Sequence, residues 1–338
     1  MKNISDRLLI ILVIATLILS LMYIDEVMDG IIKSIENCIL IIVPSLFLNS
    51  ILSSILIKCS DSLKPTRVSS SGYGIFMAFV LGNICGYPIG AKILNELVSK
   101  KTITSEQAEK AICFSFASGP AYILGIVSSA VFHSKLLGFT AFLSIFLSNI
   151  VLYIFYRVKN KALPQDSKCC KVTSFTDVVM ESITSSANSM ISICSSIVFF
   201  SAILALIKVI IPSLSAIPST ILEISNITSL VGSGVLIFVT ATVLLSFGGF
   251  CVHMQVKCLA GTSFSLKWFY ITRPIQLILT ALFSSIGYLI IQNYVSIETG
   301  SNSGTIELST SGNIIPFICT AGMVLIALTY HKQKSDCA

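Results

Sequence analysis

Long uncharged runs alternate with short polar connections along the whole chain. They fall at about 8–24, 37–57, 73–91, 111–132, 136–156, 182–207, 224–252, 274–297 and 311–330. About 20 apolar helical residues cross the hydrocarbon of a bilayer, and most of these runs reach or approach that length. None shows the two-residue alternation of a transmembrane barrel strand. The pattern predicts an all-α polytopic membrane protein. One stretch differs: "ELVSKKTITSEQAEK" (96–110) is amphipathic and carries both signs of charge. It predicts a short helix at the cytoplasmic surface, capped by Thr104 or Ser105 with acids in the first turn.

The third run is interrupted by "GNICGYPIGAK" (82–92), which holds three glycines and a proline. A broken helix leaves peptide N–H and C=O groups without partners, and each costs several kcal/mol in lipid unless protein, water or a ligand meets it. Gly86 and Gly90 permit a turn and close backbone approach. Pro88 suits the first turn of a new half-helix, whose free amides favour an anion. Lys92, about one turn on, adds a full charge. The alternative is a glycine hinge used only for helix packing, with Lys92 reaching to the interface.

The two halves of the chain resemble each other in three blocks that keep their order. "KSIENCILIIVPSLFLNSILSSILI" (33–57) pairs with "ESITSSANSMISICSSIVFFSAILAL" (181–206). "CGYPIGAK" (85–92) pairs with "GGFCVHMQ" (248–255), and "ASGPAYILGIVSSA" (117–130) with "ITRPIQLILTALFSSI" (271–286). In the last pair each proline is expected to open an aliphatic helix. The expected organisation is an N-terminal transmembrane helix (1–32) and a first repeat (33–156) with a re-entrant hairpin at about 73–98. A cytoplasmic linker (157–178) leads to a second repeat (179–338) with a hairpin at about 228–258. If 73–98 returns to the side it entered from, the repeats are inverted, as in many secondary transporters. That arrangement places the tail "HKQKSDCA" outside. A spanning 228–252 would place it inside and break the symmetry.

Composition sharpens this picture. Hydrophobic residues make up 54% of the chain and charged residues 11%, against about 25% charged in soluble domains. The net charge of +6 comes from cations before residue 8 and at 58–67, 157–171 and 332–334. These are short connections, so they point to topology and not to nucleic acid, and they put the N-terminus and the first two loops in the cytoplasm. The N-terminal run resembles a signal peptide, but no small-residue cleavage site precedes Asp25, and an uncleaved span is expected. The eleven cysteines include no C-x-x-C pair, and Cys38, Cys113, Cys194 and Cys319 sit in apolar runs. Neither disulfides nor a structural metal is expected. His133, His253 and His331 are scattered, and no nucleophile elbow, zinc motif or P-loop appears. The expectation is therefore a protein that is not an enzyme and needs no cofactor.

Candidate binding residues lie at the breaks. They are Asn83, Gly86, Tyr87, Pro88, Gly90 and Lys92 at the first, and Ser246, Gly248, Gly249, Phe250 and Gln255 at the second. Ser118 and Gly119 ("SGP") and Arg273 ("TRP") form a further pair. Arg273 either clamps a carboxylate or marks the edge of its span, with Lys267 just upstream. His253 reads as a packing residue or a proton relay.

Gly82 to Lys92, Ser118 to Pro120, Ser246 to Gln255, and Arg273 together resemble the YlbJ family of sporulation integral membrane proteins, also called SpoVV. The resemblance covers most of residues 35–292. Ala117 stands where relatives often carry asparagine before Gly-Pro. That family is similar in its gate-type repeats to concentrative nucleoside transporters. The resemblance implies a cell-membrane protein, in the outer forespore membrane during sporulation, that moves dipicolinate from the mother cell. Dipicolinate is a small planar dianion. Lys92, Arg273 and the half-helix N-termini are expected to meet its carboxylates, with Tyr87 and Phe250 on its ring. The rival expectations are a nucleoside or nucleobase transporter and a non-transporting sporulation scaffold. The coupling ion is left open between sodium, proton and none. Monomer and homo-oligomer are both compatible with the sequence.

Overall fold

The computed structural model describes residues 2–59, 70–159, 174–213 and 215–292. These are mostly helical, with no strand among the described residues. The helices are α1 (Lys2–Met22), α2 (Ile24–Lys58), α3 (Ser70–Cys85), α4 (Ile89–Ser99), α5 (Ser105–Ala111) and α6 (Pro120–Ala130). After them come α7 (Lys135–Lys159), α8 (Phe175–Ile210), α9 (Ala216–Leu222), a 3-10 turn (Ile224–Ser229), α10 (Val235–Phe247), α11 (Gly249–Ala260) and α12 (Lys267–Ile291). Five stretches are long and apolar enough to cross a membrane: α2, α7, α8, α10 with α11, and α12. The linker between α7 and α8, the run 311–330 and the tail lie largely or wholly outside the described residues.

α1 exposes Leu8, Leu12, Leu17 and Leu21 at 60% or more, as a lipid-facing helix does. Its Thr16 and Ser20 hydroxyls donate to carbonyls of their own helix, 2.8 Å each, so the polar groups need no outside partner. α2 and α8 have 35 and 36 residues, longer than the hydrocarbon requires, and run antiparallel. A methyl on Gly30 would lie 3.1 Å from Ala205 Cβ, and further along Ser50 Oγ donates to Ser186 Oγ at 3.1 Å.

α3 and α4 fold back on each other. A methyl on Gly74 would lie 3.3 Å from Leu97, and one on Gly90 would lie 3.5 Å from Gly82 Cα. Their outer ends return to one place: Lys100 Nζ donates to the carbonyls of Ile57 and Lys58 at 3.1 Å. α5 follows with the expected cap, Thr104 and Gln107 bonding reciprocally at 3.1 and 2.9 Å.

The chain then abandons helix. Residues 112–119 run through turns into an extended stretch that is buried almost throughout. Pro120 opens α6 as expected. Pro274 instead lies inside α12, seven residues past its start at Lys267, so the helix forms across it. Membrane helices tolerate this because surrounding groups meet the freed carbonyl.

The second glycine break also departs from expectation. Gly248 and Gly249 both take positive φ, 84° and 78°. The helices they join separate there, α10 packing on α12 and α7, and α11 on α4 and α8. Phe238, near the start of α10, meets Tyr288 near the end of α12 with ring centroids 5.5 Å apart. Asn95 on α4 donates to Leu259 near the end of α11 at 2.9 Å.

Candidate functional site

The segment 112–119, which passes from turns into an extended stretch, is buried almost throughout, and its carbonyls need donors. Arg273 Nη2 reaches the Cys113 carbonyl at 2.7 Å, and Asn83 Nδ2 reaches that of Phe114 at 3.0 Å. Asn149 Nδ2 reaches Phe116 at 3.2 Å, and the Tyr87 amide reaches Ala117 at 2.7 Å. The side-chain donors come from α3, α7 and α12 and are linked. Gln276 donates to Asn149 Oδ1 at 2.5 Å, and Asn149 to Asn83 Oδ1 at 2.7 Å. Buried peptide groups without partners are costly, and this relay meets them in place of a helix ladder.

The same segment accounts for the first glycines. Cβ atoms on Gly82 and Gly90 would stand 2.5 and 1.9 Å from the Ser115 carbonyl oxygen. The close approach that these glycines permit is therefore that of the chain's own backbone. At Gly248 a side chain would meet Phe116 at 2.9 Å and Tyr87 at 3.4 Å, while Tyr87 and Phe116 stack with centroids 5.1 Å apart. The two interruptions thus meet face to face.

Beside that meeting point lies a narrow cavity of ≈ 70 Å³, roomy enough for ordered water. Tyr87, Ser118, Gly119 and Tyr122 line it from one half of the chain, and Glu223 and Gln255 from the other. Asn49 of α2 also faces it. The hydroxyls of Tyr87, Ser118 and Tyr122 are buried and have no hydrogen-bond partner. Tyr87 and Ser118 lie side by side, without hydrogen-bond geometry between them.

Glu223 is 2% exposed. Its carboxylate accepts from the Ser225 amide and from Asn226 Nδ2, 3.0 Å each, and from the Ser225 hydroxyl. On its far side an open polar vestibule of ≈ 560 Å³ is lined by Glu26, Asp29, Lys33, Lys208 and Asn226 among others. Glu223 and Ser225 belong to the walls of both spaces.

The expected site residues separate into groups. Tyr87, Ser118, Gly119 and Gln255 line the cavity. Gly86 packs against Gly119, and Gly249 against Thr220, Ile221 and Ile224. Pro88 is buried at the start of α4. Asn83 and Arg273 hold the extended segment, with Arg273 sandwiched between Phe116 and Phe269 at 4.7 and 4.3 Å. Lys92 donates to Ser50 and Ser186 at 3.0 and 2.8 Å and stands 3.9 Å from Glu96. Lys92 and Arg273 share no partner, and neither lines the cavity. Ser246 bonds Thr280 at 3.1 Å among α7, α10 and α12. Phe250 is 49% exposed. His253 packs against aromatic rings and bonds the Phe247 carbonyl at 2.9 Å.

Comparison of the chain with family models, curated proteins and solved structures finds no match.

Sequence reasoning missed Glu223, Asn49 and Tyr122 in the cavity, and Asn149 and Gln276 in the relay. For Glu223 a signal existed. It is the one Asp, Glu, Lys or Arg between Lys208 and Lys257, and an isolated acid in such a stretch is a functional candidate by default. The others are common polar residues within apolar helices, and only the path of 112–119 explains them.

Proposed function

We propose that the protein is a membrane transporter that passes a small polar solute through the cavity where its two interruptions meet. The observation that carries this reading is a cavity walled by Tyr87, Ser118 and Tyr122, whose buried hydroxyls have no partner among the described residues, with a carboxylate between it and an open vestibule. Leaving a buried hydroxyl unpaired costs about 1–3 kcal/mol, and a polar solute drawn into the cavity would offset that cost. A scaffold has no use for such a space.

The reading includes an inverted repeat with a pairing other than that expected from the glycines. In the first unit α2 leads to the α3–α4 hairpin, the crossing interrupted at 112–119, and α7. In the second α8 leads to α9 with the 3-10 turn, the crossing interrupted at Gly248, and α12. The counterpart of α3–α4 is then 216–229, and the counterpart of Gly248 is the extended segment. Two facts support it. The ends of α3 and α4 gather by Lys58, while the 3-10 turn borders the vestibule at the opposite end of α2. Discontinuous helices at mid-depth are a recurrent way to build transporter sites.

For the solute we propose dipicolinate, on the resemblance to YlbJ proteins and the role in spore formation it implies. Its carboxylates would be met by hydroxyl and amide donors of Tyr87, Ser118, Tyr122, Asn49 and Gln255, since no Lys or Arg is among the described residues that line the cavity. A nucleoside is the second reading, favoured by Glu223, because a carboxylate accepts well from ribose hydroxyls. Uptake of labelled dipicolinate into proteoliposomes, with uridine as competitor, separates them. Saturable dipicolinate uptake insensitive to uridine supports the first. Uridine uptake with no dipicolinate uptake overturns it.

A further inference from the structure

The wall between vestibule and cavity is made by a few residues, and one of them titrates. Glu223 closes the end of α9 and begins the 3-10 turn. Its carboxylate gathers the Ser225 amide, the Ser225 hydroxyl and the Asn226 side chain. Three donors on one carboxylate describe the ionised form, since a protonated carboxyl gives up acceptor capacity and becomes a donor. No cation forms an ion pair with Glu223 among the described residues. On the cavity side it faces Tyr87, Tyr122 and Cys85, with Cys251 and Cys38 near enough to interact electrostatically. On the vestibule side it faces Glu26, Asp29, Lys33 and Lys208.

We infer that Glu223 is the proton-binding site of the permeation route and, with Ser225 and Asn226, its gate on the vestibule side. Ionised, the carboxylate pins the turn shut and repels an anion in the cavity. A proton taken from vestibule water neutralises it, weakens its hold on Ser225 and Asn226, and admits an anionic solute. The same proton leaves to water when the cavity next opens. No other wall residue common to the two spaces is ionisable. The inference rests on the transporter reading, and its anion-selective half on dipicolinate.

The test uses the full chain with its other cysteines replaced and Ser118→Cys as a reporter in the cavity, labelled by an impermeant thiol reagent from the vestibule side. Glu223→Gln keeps the shape and removes the titration. At neutral pH it should speed labelling about tenfold over the Glu223 background, and the difference should vanish on acidification. Asn226→Ala, which loosens the turn but keeps the carboxylate, should speed labelling at neutral pH and retain the pH response. In proteoliposomes Glu223→Gln should make solute uptake independent of pH where the parent is accelerated by acid. Equal labelling of Glu223 and Glu223→Gln at every pH overturns the inference, and so does a sodium effect on labelling at constant pH. Dipicolinate uptake without any gating difference leaves the proposed function standing and removes the gate. Gating without dipicolinate uptake does the reverse.

Discussion

Some buried side-chain polar groups in this protein hold the backbone, and others have no partner among the described residues. Asn149 belongs to the first kind. It is fully buried and bonds the Phe116 carbonyl, Asn83 and Gln276 at once. Replacing it with alanine strands three partners, and the expected cost is about 3 kcal/mol or more, read as a lowered thermal midpoint in detergent. Ser118 belongs to the second kind. It is 1% exposed and its hydroxyl has no partner among the described residues, so Ser118→Ala removes an unmet polar group and should not lower that midpoint. It should instead raise the solute concentration needed for half-maximal uptake several-fold. Equal loss of stability in both variants would mean that the hydroxyl is structural. Arg273 sorts with Asn149: an isolated cation in an apolar stretch was legible as important. What it holds was not, because its partner is the Cys113 carbonyl, a backbone group with no signature in the sequence.

At the scale of elements, the first interruption and the cap of α5 were legible because each is written locally. Gly86-Tyr87-Pro88 cannot continue a helix, and Thr104 with Gln107 spells a capping box. The course of the chain at the second break was not, since a pair of glycines with positive φ marks a break without saying where the chain goes next. That is decided by packing: Phe116 and Tyr87 cover Gly248, and α10 and α11 then follow different neighbours. The extended segment 112–119 was equally hidden. Its sequence "ICFSFASG" is apolar enough to read as part of a spanning helix. Its register is set by Gly82 and Gly90, which leave room for the Ser115 carbonyl. Gly90→Ala should accordingly lower stability by about 3 kcal/mol, and the expected readout is loss of monodisperse protein from detergent extracts. Gly125→Ala is the control, because a methyl there meets nothing within 4 Å. Similar behaviour of the two variants would place Ser115 elsewhere.

At the scale of the whole molecule, the proposed inverted repeat corresponds to a topology that agrees with the chain's charges. On that proposal the chain starts in the cytoplasm, α1 leads out and α2 returns, ending at Lys58 beside Lys100. α3 and α4 come back to the cytoplasmic side, the crossing through 112–119 leads out, and α7 returns with Arg157 and Lys159 in its last turn. α8 leads out, 216–229 borders the vestibule on that side, α10 with α11 returns, and α12 leads out again. The expectation that placed the tail outside depended on a fold-back at 228–258. With one crossing there, the uncharged run 311–330, which lies beyond the described residues, has the length to carry the chain back once more. The proposal then puts the basic tail in the cytoplasm, in line with the distribution of Lys and Arg. Cys337 offers a direct check. In a variant whose only cysteine is Cys337, an impermeant maleimide should label it in permeabilised cells and not in intact protoplasts. A cysteine in place of Asp29, which lines the vestibule, should be labelled in both. Labelling of Cys337 in intact protoplasts would return the second hairpin to 228–258, and with it a cavity closed by different residues.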